Sequence, residues 1–174
     1  MYEIVTGKER KDKYNRTLAY IFYNNKNINL ELVQNGYANY YFYGGKDKYS
    51  NDLESAWEEC IDNNINLCES SSHQCSECIE LKEFNYKDEI ITLYNSCNFN
   101  CDLTDWSIKD EGRKKFIFDD FNLESQKEVI IKVGEGVNTN NKLFWTGEDY
   151  VWTRTGDSLF LRDSDGGLVL WRSY

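Results

Sequence analysis

The chain contains no proline, one histidine and one methionine among its 174 residues. Without proline, no turn can rely on a ring-fixed φ, so glycine, asparagine and aspartate must carry the reversals of direction. With His73 alone, and no serine or cysteine motif around it, a nucleophile–histidine triad has no support. Long apolar runs are absent as well. No stretch approaches the roughly 18 residues of a membrane helix, and no charged-then-apolar segment opens the sequence as a signal peptide would. What is abundant is aromatic surface, with 13 Tyr, 9 Phe and 5 Trp, enough to build packed cores within a polar, Asn-rich background.

The formal net charge is −10, with 8 basic against 11 acidic residues up to Ser70 and 12 against 19 beyond it. Such a surface repels a phosphate backbone at long range, which argues against non-specific duplex binding by the second half. One basic cluster stands out in the first half: Lys8, Arg10, Lys11, Lys13 and Arg16. By itself such a run reads as a solvated hairpin.

Periodicity divides the chain in two. Residues 13–23 alternate and place Leu18, Tyr20 and Phe22 on one face, as a strand does. Asn29 is placed to cap a short helix ending at Asn35-Gly36. A second helix over about 50–62 carries Leu53, Ala56, Trp57 and Cys60 on one stripe, which casts Cys60 as a small core hydrophobe. The Ser-rich stretch 69–75 reads as a linker. Beyond it come short alternating runs at 79–84, 90–94, 106–109, 115–118, 129–133, 143–145, 150–152, 159–162 and 168–171, the spacing of an all-β sandwich. Asp165-Gly166-Gly167 signals a hairpin between the last two. Asp163-Ser164-Asp165-Gly166 resembles the start of a calcium loop, but without a following bidentate Glu it reads as a β-turn.

Six cysteines allow several readings. Cys75-x2-Cys78 and Cys97-x3-Cys101 suit a four-thiolate zinc site, two disulfides in an exported chain, or free thiols. Cys60 and Cys68 have no evident partner. Trp106, Trp145, Trp152 and Trp171 invite a ligand-platform reading, against which core packing is the simpler account.

Asp12-Lys13-Tyr14-Asn15-Arg16-Thr17-Leu18-Ala19-Tyr20, followed by Asn29-Leu30-Glu31-Leu32-Val33-Gln34-Asn35-Gly36-Tyr37-Ala38, resembles the thermonuclease (staphylococcal nuclease-like) family over residues 1–68. The resemblance implies the C-terminal half of an OB-type barrel with two helices. It also implies phosphodiester chemistry that uses calcium, a water-activating carboxylate and two phosphate-binding arginines. Arg16 matches one of those arginines, and Tyr14, with Lys13 beside it, matches a position near the bound nucleotide. Asn15 stands where the family usually has Gly and still tolerates positive φ. The calcium ligands, the general base and the other arginine belong to the half that is not here. Calcium is therefore expected only if that half is supplied upstream or by another chain, and this chain alone is expected to be non-catalytic, with weak nucleic-acid contact at most. A cut barrel exposes strand edges and an apolar face, so a complementing chain or a homodimer is expected there.

The second half is similar to the lamin tail family over 76–174. The matching segments are Glu89-Ile90-Ile91-Thr92-Leu93-Tyr94-Asn95, Cys101-Asp102-Leu103-Thr104-Asp105-Trp106 and Phe116-Ile117-Phe118, then Trp145-Thr146-Gly147, Val151-Trp152 and Gly156-Asp157-Ser158-Leu159. That resemblance implies an immunoglobulin-like β-sandwich without a catalytic site, serving as an attachment or binding module for cell-envelope or protein partners. If the chain is part of a larger precursor, export or a cell-surface location is implied.

Overall fold

The computed structural model describes residues 1–174, which divide into two compact units, Met1–Ser70 and Ser71–Tyr174.

In the first unit, β1 (Tyr2–Val5), β2 (Tyr20–Tyr23) and β3 (Lys26–Asn27) form an antiparallel sheet in that order, so β1 is an edge strand. The strand expected over 13–23 is confined to its last four residues, because residues 12–16 form a turn bonded to Asp12, and Thr17 and Leu18 pair only with Lys11 and Arg10 across it. The β1 strand itself escaped the periodicity reading. Helix α1 (Ile28–Gln34) is capped by the Asn27 side chain rather than by Asn29, whose own side chain instead accepts from the Ile21 N–H. The helix closes with paired bonds, Gly36 N–H to Val33 O and Tyr37 N–H to Leu32 O, both 2.9 Å. Gly36 has φ +67°, and a Cβ there would sit 2.6 Å from the Ile65 carbonyl, so glycine is required twice over. Helix α2 (Ser50–Asn63) buries Leu53, Ala56, Trp57 and Cys60, the stripe read from the sequence, and packs on α1. Cys60 is in the core as expected, yet it is not unbonded: it forms a disulfide with Cys68 in the 3-10 turn Asn66–Cys68. The reversal at Asn64 (φ 52°) brings the two together, a loop closure the sequence does not announce.

In the second unit, β4 (Ile79–Asn85), β5 (Ile90–Asn95), β10 (Glu128–Val133) and β11 (Lys142–Trp145) make one sheet, ordered β11-β10-β5-β4. The facing sheet is β13-β12-β7-β8, from β7 (Ser107–Lys109), β8 (Lys115–Ile117), β12 (Ser158–Arg162) and β13 (Leu168–Ser173). A small pair, β6 (Cys101–Asp102) with β9 (Asn122–Leu123), closes one end. Register places Ile91 opposite Ile131 and Leu93 opposite Val129 in the first sheet, and Ile108 opposite Leu161 in the second. All six are at most 1% exposed and form the sandwich core with Trp106 and Phe118. Trp145 and Trp152 are buried too, so packing accounts for them. Residues 150–152 are not a strand. The Val151 and Trp152 N–H groups donate to the Glu89 carboxylate instead of to a neighbouring strand. The 163–167 segment is the expected hairpin turn. Gly167 N–H donates to the Asp163 carboxylate, and a Cβ on Gly167 would collide with the Ser71 backbone at 2.7 Å. The presumed linker is shorter than 69–75, because Ser71 N–H already bonds Leu168 O.

Two buried polar features shape stability. Asn95 is fully buried, and its side-chain amide donates to the Phe99 and Leu123 carbonyls at 2.9 Å while its oxygen accepts from the Cys97 N–H. Asp110, just after β7, and Asp157, just before β12, are both buried. Burial, reinforced by the Asp157 charge, pushes Asp110 up to about 6, and burial likewise raises Asp157.

Asn95→Ala takes the partner from the buried Leu123 carbonyl and Cys97 N–H and from the partly buried Phe99 carbonyl, and should lower the unfolding free energy by about 2–3 kcal/mol in urea denaturation. Asp110 retains its proton in the folded state over a pH range where the unfolded chain has released it. Its contribution to stability is therefore full below its ordinary value of 3.8 and is lost as pH rises through about 6. Asp110→Asn keeps an acceptor for the Lys114 N–H. It should remove this downward slope between those pH values and raise stability at pH 7 by about 1–2 kcal/mol, read from paired denaturation curves.

Candidate functional site

Asp12 organises the turn that carries the candidate residues of the first unit. Its N–H bonds Arg16 O at 3.0 Å, and its carbonyl accepts from the Asn15 N–H at 3.0 Å, with Asn15 at φ 65°. Asparagine thus occupies the left-handed position that glycine would otherwise fill. The Asp12 carboxylate accepts from the Tyr14 and Arg16 N–H groups, both at 2.9 Å, and from the Arg16 guanidinium through Nε and Nη2, both at 2.6 Å. Desolvation opposes ionisation of Asp12, but the Arg16 backbone and side-chain bonds together with the Tyr14 N–H outweigh it and hold its carboxyl below the usual range.

Lys13, Tyr14 and Arg16 are brought to one hairpin tip. The Lys13 Nζ lies 5.1 Å and the Arg16 Cζ 5.3 Å from the centre of the Tyr14 ring. The Arg16 side chain stays 62% exposed despite its ion pair, and Tyr14 is exposed as well. Two cations flanking an aromatic face can hold a phosphate group and rest a base or sugar on the ring. The Asp12 carboxylate at this tip is engaged by the Arg16 guanidinium and the Tyr14 and Arg16 N–H groups.

Behind the hairpin lies a cavity of about 250 Å³, lined among others by Leu18, Tyr20, Val33, Tyr40, Asp47 and Leu53. The Tyr20 hydroxyl donates to both Asp47 oxygens at 3.0 Å, and burial followed by that carboxylate raises the phenol well above its usual value. Asp47 also accepts from the Tyr49 N–H, and its own N–H bonds Ser50 Oγ at 2.7 Å, so it ties the segment leading into α2 to its first residue. This pair was not singled out from the sequence, since Asp47 precedes the N-cap residue Tyr49 and forms no capping-box pattern.

In the second unit the four remaining cysteines pair as Cys75–Cys101 and Cys78–Cys97. Of the readings open from spacing, this is the disulfide arrangement, and it joins the segment entering β4 to the connection after β5. The two disulfides lie side by side, with the sulfurs of Cys78, Cys97 and Cys101 all within 4.8 Å of one another.

Comparison with known proteins agrees with this division. Residues 2–70 match the family profile described as staphylococcal nuclease homologue, and residues 72–174 match that of the lamin tail domain. A thermonuclease of Staphylococcus intermedius is 39% identical over 62 residues, which are 36% of this chain and 37% of the relative. The chain thus spans little more than a third of the relative it matches. It is mainly β, with an OB-type, thermonuclease-like domain preceding an immunoglobulin-like sandwich. Because the second match takes in more than half of its length, the chain belongs to the lamin tail domain family, with a staphylococcal nuclease homologue domain ahead of that sandwich.

Proposed function

We propose that residues 1–68 correspond to the C-terminal half of a thermonuclease domain, non-catalytic as they stand, joined to a lamin tail module that attaches it to a cell-envelope or protein partner. The observation that carries this reading is the open sheet of the first unit. Tyr2 and Ile4 of β1 pair with Tyr23 and Ile21 of β2, so the four side chains share one face, and all four are exposed, Tyr2 at 75% and Ile4 at 70%. That face continues to a β1 edge with no further strand. An apolar sheet face and a free edge together invite completion by additional strands.

On this reading Arg16 is the remaining phosphate-binding group, Tyr14 and Lys13 support nucleic-acid contact, and the calcium ligands and general base come with the completing half. That half is an upstream segment or another chain; a second copy of this chain would cover the open face but would bring no calcium ligands or general base. The acidic remainder of the surface keeps nucleic-acid affinity weak without it. Three disulfides that use all six cysteines favour an exported or cell-surface location.

The chain alone should show no calcium-dependent cleavage of single-stranded DNA. Mixing it with the part of the S. intermedius thermonuclease outside the matched segment should restore cleavage, and Arg16→Ala should reduce the restored rate by at least about 100-fold, as loss of a transition-state phosphate ligand does. Cleavage by the unmixed chain that vanishes in Arg16→Ala would show that a whole catalytic site is present and overturn the reading.

A further inference from the structure

The two disulfides of the sandwich are gathered by the backbone as well as by their own bonds. In the entry turn, the Cys78 and Ile79 N–H groups both bond Cys75 O at 3.1 Å. The Ser96 N–H bonds Cys78 O at 2.8 Å, tying the entry turn to the connection after β5. In that connection the Cys97 N–H is held by the Asn95 side chain, and Cys97 O accepts from Ser125 Oγ at 2.7 Å. Cys101 is fixed by its pairing with Leu123. None of these bonds passes through sulfur, so cleavage of both disulfides leaves the four side chains converging on the same place. Cys75 and Cys101 are fully buried, Cys97 nearly so, and Cys78 only partly.

We propose that Cys75, Cys78, Cys97 and Cys101 form a second state of this site, a four-thiolate centre for a zinc ion, when the disulfides are reduced. A tetrahedral zinc with Zn–S of about 2.3 Å needs sulfurs about 3.8 Å apart. Three of the sulfurs already lie within 4.8 Å of one another, and the fourth, on Cys75, is bonded to one of them. Small rotations of the side chains suffice. The chemistry closes without an unnamed participant. A phosphine reductant cleaves each S–S bond, a water molecule supplies the oxygen of the phosphine oxide and the two thiol protons, and four thiols result. Zinc then displaces four protons to give the tetrathiolate complex. Oxidation by a disulfide-bearing oxidant reverses the order: two S–S bonds form and the zinc leaves. A dication also answers the electrostatic need, because four buried thiolates cannot share this space uncompensated. The Cys60–Cys68 pair offers no third sulfur, carboxylate or imidazole at ligand distance and serves as an internal control. The proposal is independent of the nuclease reading, since it rests on the second unit alone.

The test uses the full chain, reduced by a phosphine without oxygen, loaded with zinc and desalted. Native mass spectrometry should find one zinc per reduced chain and none per oxidised chain. Cobalt in its place should give the visible bands of tetrahedral thiolate coordination. The Cys60→Ser/Cys68→Ser variant should keep both results, and Cys78→Ser/Cys97→Ser should lose the ion to a chromophoric chelator that the parent resists. Near-ultraviolet circular dichroism follows folding in parallel. A reduced chain that takes up no zinc, whether folded or unfolded, overturns the proposal. So does zinc that survives Cys78→Ser/Cys97→Ser, or zinc that is lost in Cys60→Ser/Cys68→Ser.

Discussion

The side chain of Asn95 lies at the end of β5 with no exposure to solvent, and it bonds two separate segments of the sandwich while its backbone bonds a third. Its amide reaches the Phe99 and Leu123 carbonyls, its oxygen takes the Cys97 N–H, and its backbone exchanges bonds with Lys127 and Gln126. A buried amide of this kind is costly unless every donor and acceptor is met, and here the bonds fix the course of the chain after β5. That course brings Cys97 and Cys101 toward the entry turn with Cys75 and Cys78, and it sets β6 against β9. The cysteine cluster therefore inherits its geometry from one asparagine rather than from the disulfides alone.

A comparable dependence governs the first unit on a smaller scale. Asp12 satisfies the N–H groups of Tyr14 and Arg16 and binds the guanidinium, so one carboxylate both shapes the turn and holds the arginine in place. The same ion pair keeps Asp12 charged and occupied by the guanidinium. Meanwhile the open face of β1 and β2 lies on the sheet side away from the half-buried Tyr20 and Phe22. The elements that would perform chemistry and the elements that would cover that face are thus the same missing material under the proposed reading.

Much of the sandwich was legible in the sequence. Eight of the nine runs read as strands coincide with strands within one or two residues, because short runs rich in β-branched and aromatic residues between turn signals favour strands whether one face or both are buried. The ninth, at 150–152, failed because Glu89, distant in sequence, claims its N–H groups. The helix stripe through Leu53, Ala56, Trp57 and Cys60 was legible for the same periodic reason. In the first unit the sequence named Lys13, Tyr14 and Arg16 as candidates, and these cluster at one turn. It overextended the strand there, because side-chain bonds to the backbone compete with strand pairing and leave no periodic trace.

By itself, then, the sequence determined the two-part organisation, the strand spacing of the second part and the motifs that tie each part to a family, since all three are written in local order and short-range pattern. Tertiary structure alone decided which cysteines meet, which carboxylate holds Arg16, and which face of the first sheet stands open. Each depends on where the chain returns after a reversal, as at Asn64, which carries Cys68 back to Cys60. Such returns are fixed by packing and by polar groups satisfied across long separations, and composition and spacing do not record them.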